Sequence, residues 1–307
     1  MTVRFDKRVA IVTGAGSGLG RAHALGFARL GAHVVVNDLG PEGGSDAAQS
    51  VVDTIREMGG SAMAHGADVS DWGQVQDMVA TATERWGGVD ILVANAGILR
   101  DRSFAKMDLA DFRKVLDVHL MGSVNCAKAV WDGMRERGYG RIVFTTSASG
   151  IYGNFGQANY GAAKAGLVGL MNVLHLEGEK YNIRVNAVAP SAATAMTRGL
   201  FPEEAIELLQ PEAVTPGVLY LASENAPSRT ILCAGGGVFA RAVIAETHGL
   251  FLPPDRLNVD EVAAHFDTVI DPARQRDVRD AFDQSAEYSR RVMEFVESRE
   301  MVKSDFG

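Results

Sequence analysis

The chain has 307 residues, of which 47% are hydrophobic and 22% charged, and it carries a net charge of −8. That length suits one large α/β domain, or a domain with an appendage, and can bury a core without staples. The acidic balance argues against a general polyanion binder but is compatible with a local basic patch. The two cysteines, Cys126 and Cys233, stand in no metal or redox spacing and read as reduced thiols. The N-terminal stretch lacks the apolar run of a signal peptide. No run of about 18 apolar residues occurs that could span a membrane. The final residues are not a peroxisomal address, so the expected compartment is the cytoplasm.

Short apolar runs alternate with longer helical patterns. Val9–Val12 reads as the first strand. Thr13-Gly14-Ala15-Gly16-Ser17-Gly18-Leu19-Gly20 follows at once and opens a helix-like stretch reaching Leu30. Glycines there allow a tight turn and let backbone N–H groups approach a pyrophosphate, with the helix dipole in support. Val34–Val36 is the second strand and leads to Asn37-Asp38. A carboxylate at that point can accept hydrogen bonds from both ribose hydroxyls and repels a 2′-phosphate. No lysine or arginine lies between Thr13 and Gly20, and residue 39 is leucine, so the pattern favours NAD over NADP. The alternative is that Asp38 caps a turn. Residues 39–46 read as a loop. Asp68-Val69 is expected to end a third strand, at the adenine edge. Ile91–Ala94 is the fourth strand. The small residues of Asn95-Ala96-Gly97 at its end let the backbone pass beneath a ribose.

Ile142–Thr145 and Val185–Val188 continue the series. Strands that read as continuous apolar runs are buried on both faces, as in a parallel sheet. Strand–helix alternation predicts a Rossmann-type doubly wound α/β sheet over residues 1–244. Ser147 closes the fifth strand, where its hydroxyl can hydrogen-bond a substrate oxygen. Tyr160 and Lys164 are spaced i, i+4 on one helix face. A phenol titrates at about 10, and a fall of three units needs roughly 4 kcal/mol of differential stabilisation. A neighbouring ammonium and an oxidised nicotinamide both favour the phenolate. Tyr160 could then take the proton of an alcohol. Pro190 and Pro202 bracket another loop. Beyond about residue 234 the rhythm changes, with helical patterns near 259–269 and 280–300. Residues 245–307 read as a C-terminal extension with too few apolar residues for a core of its own.

The ordered conjunction of glycine turn, Asp38, Asn-Ala-Gly, Ser147, Tyr160 and Lys164 resembles the short-chain dehydrogenase/reductase family over roughly residues 5–235. Within it, Asn37–Gly40, Ala96–Phe104 and Ser147–Tyr160 are similar to the dehydrogenase part of the type 2 peroxisomal multifunctional enzymes. The resemblance implies Ser147, Tyr160, Lys164 and His119 as catalytic residues. It implies an NAD site made by Gly14, Ser17, Gly18, Leu19, Gly20, Asp38, Leu39, Asp68, Val69, Asn95, Ala96, Gly97, Tyr160, Lys164, Pro190 and Thr194, with no metal. Lys164 would also hold the nicotinamide ribose. The implied reaction is oxidation of a (3R)-3-hydroxyacyl-CoA, of fatty-acyl or steroid side-chain type. A 17β-hydroxysteroid or other bulky secondary alcohol is the alternative substrate. Remoter alternatives are a lyase or epimerase, or a non-catalytic nucleotide-binding member of the fold.

Two departures from the family pattern stand out. His119 occupies the position where many members carry a catalytic asparagine, and the alternative reading is a packed helix residue bonded to backbone. Pro190-Ser191 replaces the usual Pro-Gly, and the loop to Thr194 is one residue shorter than common. Arg100, Arg102 and Lys106 either rim the pocket for the phosphates of a thioester or form a solvated loop. Ile98, Ile151, Phe155 and Met196 either line an acyl or steroid cavity or fill a core. Gly161, Ala162, Ala163, Ala165, Gly166 and Gly169 permit close helix contact, which fits the homodimer or homotetramer that the resemblance implies. No nucleic-acid or membrane partner is expected. The extension, Phe251–Pro254 above all, is implied to pack on the active site or on a dimer partner.

Overall fold

In the computed structural model of the chain, residues 2–39, 46–194 and 202–304 are described. The first of its two compact units is Met1–Ala242 and the second Val243–Gly307. In the first unit, β1 (Val9–Thr13), β2 (His33–Asn37), β3 (Ser61–His65) and β4 (Ile91–Ala94) are followed by β5 (Gly140–Thr145), β6 (Ile183–Pro190), β7 (Ile231–Gly235) and β8 (Val238–Ala242). They form an eight-stranded sheet in the order 3-2-1-4-5-6-7-8. Every neighbouring pair is parallel except β7 and β8. Val9 and Ile11 enter one buried apolar cluster while Ala10 and Val12 enter another on the opposite face. Val35 is divided in the same way from Val34 and Val36. Helices cover both faces, which is why the strands read as unbroken apolar runs.

Helices α1 (Gly18–Arg29) and α2 (Asp46–Glu57) supply the second cluster, and α3 (Trp72–Trp86) the first. Helix α4 (Leu109–Leu116) continues through a single π turn, Asp117–Met121, into α5 (Gly122–Arg137). Helices α6 (Ala148–Tyr152) and α7 (Ala158–Gly178) then follow β5. Two short helices, α8 (Glu203–Ile206) and α9 (Thr215–Leu221), precede β7. The strand order reverses between β1 and β4. In open α/β sheets that reversal opens a crevice at the carboxyl ends of the strands.

Two sequence expectations need correction. Strand β3 stops at His65, so Asp68 and Val69 lie in the turn after it, where Asp68 accepts hydrogen bonds from the Ser70 amide and hydroxyl. The change of rhythm near residue 234 is a β-hairpin. Gly236 and Gly237 take φ of +56° and +82° and turn β7 back into antiparallel β8. Cys126 is buried, and burial pushes its thiol up to about 12.

The second unit pairs β9 (Ala245–Thr247) with β10 (Gln275–Asp277) and adds α10 (Val259–Ala264), α11 (Phe266–Val269) and α12 (Ala281–Ser304). Between α12 and residues 251–257 lies an apolar groove of about 470 Å³ lined by Phe251, Leu257, Val292 and Phe295. Among the described residues, no helix is long and apolar enough to cross a membrane.

Candidate active site

The crevice between β1 and β4 is stitched at its floor. The Thr13 hydroxyl accepts from the amides of Asn95 and Ala96 at 2.9 and 3.0 Å. The Asn95 side chain donates to the carbonyls of Thr13 and Gly14 at 3.0 and 3.2 Å. These bonds fix the glycine turn against the end of β4. A Cβ on Gly14 would stand 2.8 Å from the Ala96 Cα, and one on Gly20 would stand 2.1 Å from the Gly14 carbonyl oxygen. Side chains are therefore shut out of this cradle, and Gly14 and Gly18 also adopt φ of +62° and +53°. Ser17 begins α1 without any side-chain cap, and Leu19 packs inward against the second cluster. An uncapped helix start within a turn closed to side chains fits a pyrophosphate. Thr194 approaches the turn, with its Cγ2 3.8 Å from where a Gly18 Cβ would stand. Pro190 ends β6 in register with Ala234.

Asp38 follows β2, and its carboxylate accepts from the Gly16 amide at 2.7 Å. It pins the turn at the end of β2, the place at which the sequence predicts a ribose contact. Leu39 is exposed beside it. Burial acts to raise Asp68, but the Ser70 hydrogen bonds and the Lys114 charge bring its carboxyl below the usual range. Val69 is buried, and its carbonyl accepts from the Asn125 side chain at 3.0 Å.

The three groups that the sequence predicts to react gather where β5 ends. Ser147 is the N-cap of α6, its hydroxyl accepting from the Ser149 amide at 3.2 Å. Tyr160 and Lys164 share one face of α7. The Tyr160 phenol pairs with Ser147. The Lys164 ammonium donates to the Thr145 carbonyl at 2.5 Å and lies 5.5 Å from the centre of the Tyr160 ring. Burial pulls Lys164 down to about 7. Burial also raises the Tyr160 phenol, opposed by the Ser147 hydrogen bond and reinforced by the Asp101 carboxylate. The expectation that the lysine brings the phenol down is thus not met by the chain alone. Desolvation outweighs every local contact, and the ammonium is turned to a carbonyl.

His119 lies in the π turn and is 2% exposed. Its Nε2 sits 2.7 Å from the Ile98 carbonyl oxygen and 3.0 Å from the Ile98 amide nitrogen, while Nδ1 is buried without a partner. The ring stands edge-on to Tyr160, centroids 5.1 Å apart. Burial holds the imidazole neutral, at about 3. A Cβ on Gly97 would lie 2.2 Å from His119 Cε1, so Gly97 is required by the imidazole.

Sequence reasoning missed the brace made by Thr13 and Asn95. It also missed Gln157 and Asn159, which tie the segment before Tyr160 to residues 100 and 101. Lone polar residues at the start of α7 carry no periodic signal. Ile98 and Ile151 pack against the first cluster, whereas Phe155 is 91% exposed, and Met196 lies outside the described residues.

A family model described as short chain dehydrogenase matches residues 8–205. Over 228 residues the chain is 51% identical to the mouse peroxisomal multifunctional enzyme type 2, which covers 73% of this chain and 31% of that protein. The structure of full-length peroxisomal multifunctional enzyme type 2 from Drosophila melanogaster superposes with a TM-score of 0.81 at 37% identity, covering 96% of this chain and 50% of that one. The chain thus spans from about a third to half of the length of these two relatives. A 7α-hydroxysteroid dehydrogenase, complexed with NADH and 7-oxo glycochenodeoxycholic acid, superposes with a TM-score of 0.70 at 32% identity, covering 76% of this chain and 95% of that one.

Proposed function

The chain belongs to the short-chain dehydrogenase family, and on that premise we propose that it uses NAD to oxidise a (3R)-3-hydroxyacyl-CoA to the 3-oxoacyl-CoA. The observation that carries this reading is the grouping of Ser147, Tyr160 and Lys164 at the end of β5, beside a glycine turn closed to side chains. When bound, NAD supplies the hydride acceptor. Its pyrophosphate fits the start of α1, its adenosine ribose Asp38, and its nicotinamide half Asn95–Gly97, Lys164, Pro190 and Thr194. The steroid dehydrogenase bound to NADH shares the fold and supports the choice of dinucleotide.

The residues of the chain then divide the work. Ser147 Oγ donates a hydrogen bond to the substrate oxygen and steadies its charge. Tyr160 Oη takes the hydroxyl proton as the carbon gives up hydride, or returns it in the opposite direction. Lys164 holds ribose hydroxyls and places a positive charge behind the phenol. His119 is a positioning residue: neutral and fixed on Ile98, it packs perpendicular to the Tyr160 ring. A 17β-hydroxysteroid remains the second substrate reading.

The test is NADH formation from (3R)- and (3S)-3-hydroxyacyl-CoA and from a 17β-hydroxysteroid. The (3R) thioester should react fastest, and Tyr160→Phe should lower kcat by about 10²–10⁴-fold. Near-normal turnover by Tyr160→Phe would refute the mechanism, and a faster reaction with the steroid would refute the substrate.

A further inference from the structure

Three consecutive residues after β4 are tied to the segment that leads into Tyr160. The Asn159 side chain donates to the Arg100 carbonyl at 3.0 Å, Gln157 Nε2 donates to the Asp101 carboxylate at 2.7 Å, and the Arg102 amide donates to the Gly156 carbonyl at 2.9 Å. Asn159 is fully buried. Gln157 Oε1 in turn accepts from the Ser149 hydroxyl at 2.7 Å, and the Ser149 amide donates to Ser147 Oγ. Asp101 fixes the orientation of the Gln157 amide, since a carboxylate accepts only. The loop after β4 is therefore held in register with the catalytic turn.

The outward side of this loop is cationic and aromatic. Arg100 is paired with Asp111 at 3.5 Å. Among the described residues, the side chains of Arg102 and Lys106 have no hydrogen-bond or ion-pair partner. Phe104 is 75% exposed and Phe155 91%. Phe104 and Lys106 share one short turn, and the Arg102 amide bond to Gly156 brings the loop to the residue after Phe155. Two unpaired cations on a loop with exposed rings suit a ligand that joins an anion to a partly apolar stem. A free steroid alcohol offers no such anion.

Resting on the thioester reading above, we propose that Arg102, Lys106, Phe104 and Phe155 form a subsite for the phosphate-bearing pantetheine arm of the substrate. The cations engage phosphate and the rings cover the arm. The Asn159, Gln157 and Gly156 bonds hold that grip at a fixed place relative to Ser147 and Tyr160. Phosphopantetheine is common to coenzyme A and to acyl carrier proteins, so the site recognises the chemistry they share.

The test uses the full chain with one (3R)-3-hydroxyacyl group carried on coenzyme A, on a phosphopantetheinylated carrier protein, and on N-acetylcysteamine, which has no phosphate. The wild type should favour a phosphate-bearing thioester over the N-acetylcysteamine one. In R102Q/K106Q the ratio of the two kcat/KM values should fall about 30-fold, expressed in KM, and lose most of its salt dependence. The better of the two phosphate-bearing arms identifies the source of the handle, and either result supports the subsite. Equal kcat/KM for all three carriers in the wild type overturns the subsite and leaves the oxidation intact. So does an unchanged ratio in the double variant. Oxidation of a steroid alcohol but of no thioester overturns the reading beneath the subsite, and the subsite with it.

Discussion

Burial at Lys164 and Tyr160 works against both charged forms at once: the lysine falls to about 7 and the phenol rises above its usual value. Ser147 makes the contact that opposes the rise. Removing it should raise the Tyr160 pKa further, so the rising limb of kcat/KM for alcohol oxidation, on which the phenol loses its proton, should move to higher pH in Ser147→Ala. A profile that stays in place or moves to lower pH would show that Ser147 does not tune the phenol. Asp38 is a separate case, because it pins the Gly16 amide and is also the group proposed to hold the ribose. Asp38→Asn weakens the repulsion of a 2′-phosphate, and the NAD:NADP ratio of kcat/KM should drop by about tenfold or more. An unchanged ratio would leave Asp38 as a turn cap. Away from the site, His23 is fully buried on α1, bonded to Thr215 Oγ at 2.9 Å, and burial holds it at about 3 against an ordinary 6.5. The unfolded chain then binds the proton that the folded one refuses. The stability that neutral His23 contributes is complete above pH 6.5 and declines as pH falls from 6.5 toward 3, by on the order of 1.4 kcal/mol per pH unit. Urea unfolding of His23→Gln at pH 7 and pH 5 should show a smaller acid loss than the wild type, and an equal loss would remove His23 from the account.

Elements, too, carry constraints that no single residue shows. The π turn between α4 and α5 presents His119 to the end of β4, and Gly97 leaves the space that the imidazole fills. π turns of this kind gather at functional sites. Gly97→Ala drives a Cβ into the ring and should cost about 1–3 kcal/mol of stability. Combined with His119→Ala, much of that cost should vanish, and a double-mutant cycle would measure the coupling. Strict additivity would mean that the two elements do not bear on each other. The π turn was illegible in the sequence, since Val118-His119-Leu120 has the spacing of an ordinary helix. Strands β1, β2, β4, β5 and β6 were legible because each is buried on both faces. Strand β3 (Ser61–His65) was harder: its small and polar residues blur the edge, and its expected end, Asp68-Val69, fell beyond His65. The hairpin of β7 and β8 was missed because Gly235-Gly236-Gly237 read as a break. β8 is mostly exposed, and Arg241 interrupts its apolar residues, so Val238–Ala242 does not read as a strand buried on both faces. Ser147, Tyr160 and Lys164 could be named from spacing, but Gln157 and Asn159 could not, because their partners lie more than 50 residues away.

At the scale of the whole molecule, the proposed dinucleotide site lies in one compact unit and the final 65 residues form another. The sequence places the division at residue 244, and the two compact units meet between Ala242 and Val243 because β8 extends to Ala242. Every group assigned to the dinucleotide, from Gly14 to Thr194, lies in the first unit. So do both apolar clusters, which pack the two faces of the sheet. A segment that owns its core and has a complete sheet can fold alone. The second unit has a different character. Its sheet has two strands, and α12 leaves Phe282, Met293 and Met301 exposed. Residues 1–242 alone should therefore unfold in one cooperative transition and bind NADH with a Kd within about threefold of the full chain, as expected for an autonomous domain. Calorimetry and fluorescence titration would measure the two. Loss of NADH binding by a well-folded 1–242 fragment would show that the last 65 residues help to shape the dinucleotide site, contrary to the division drawn here. Retained NADH binding with a loss of thioester oxidation would assign the second unit to the substrate alone.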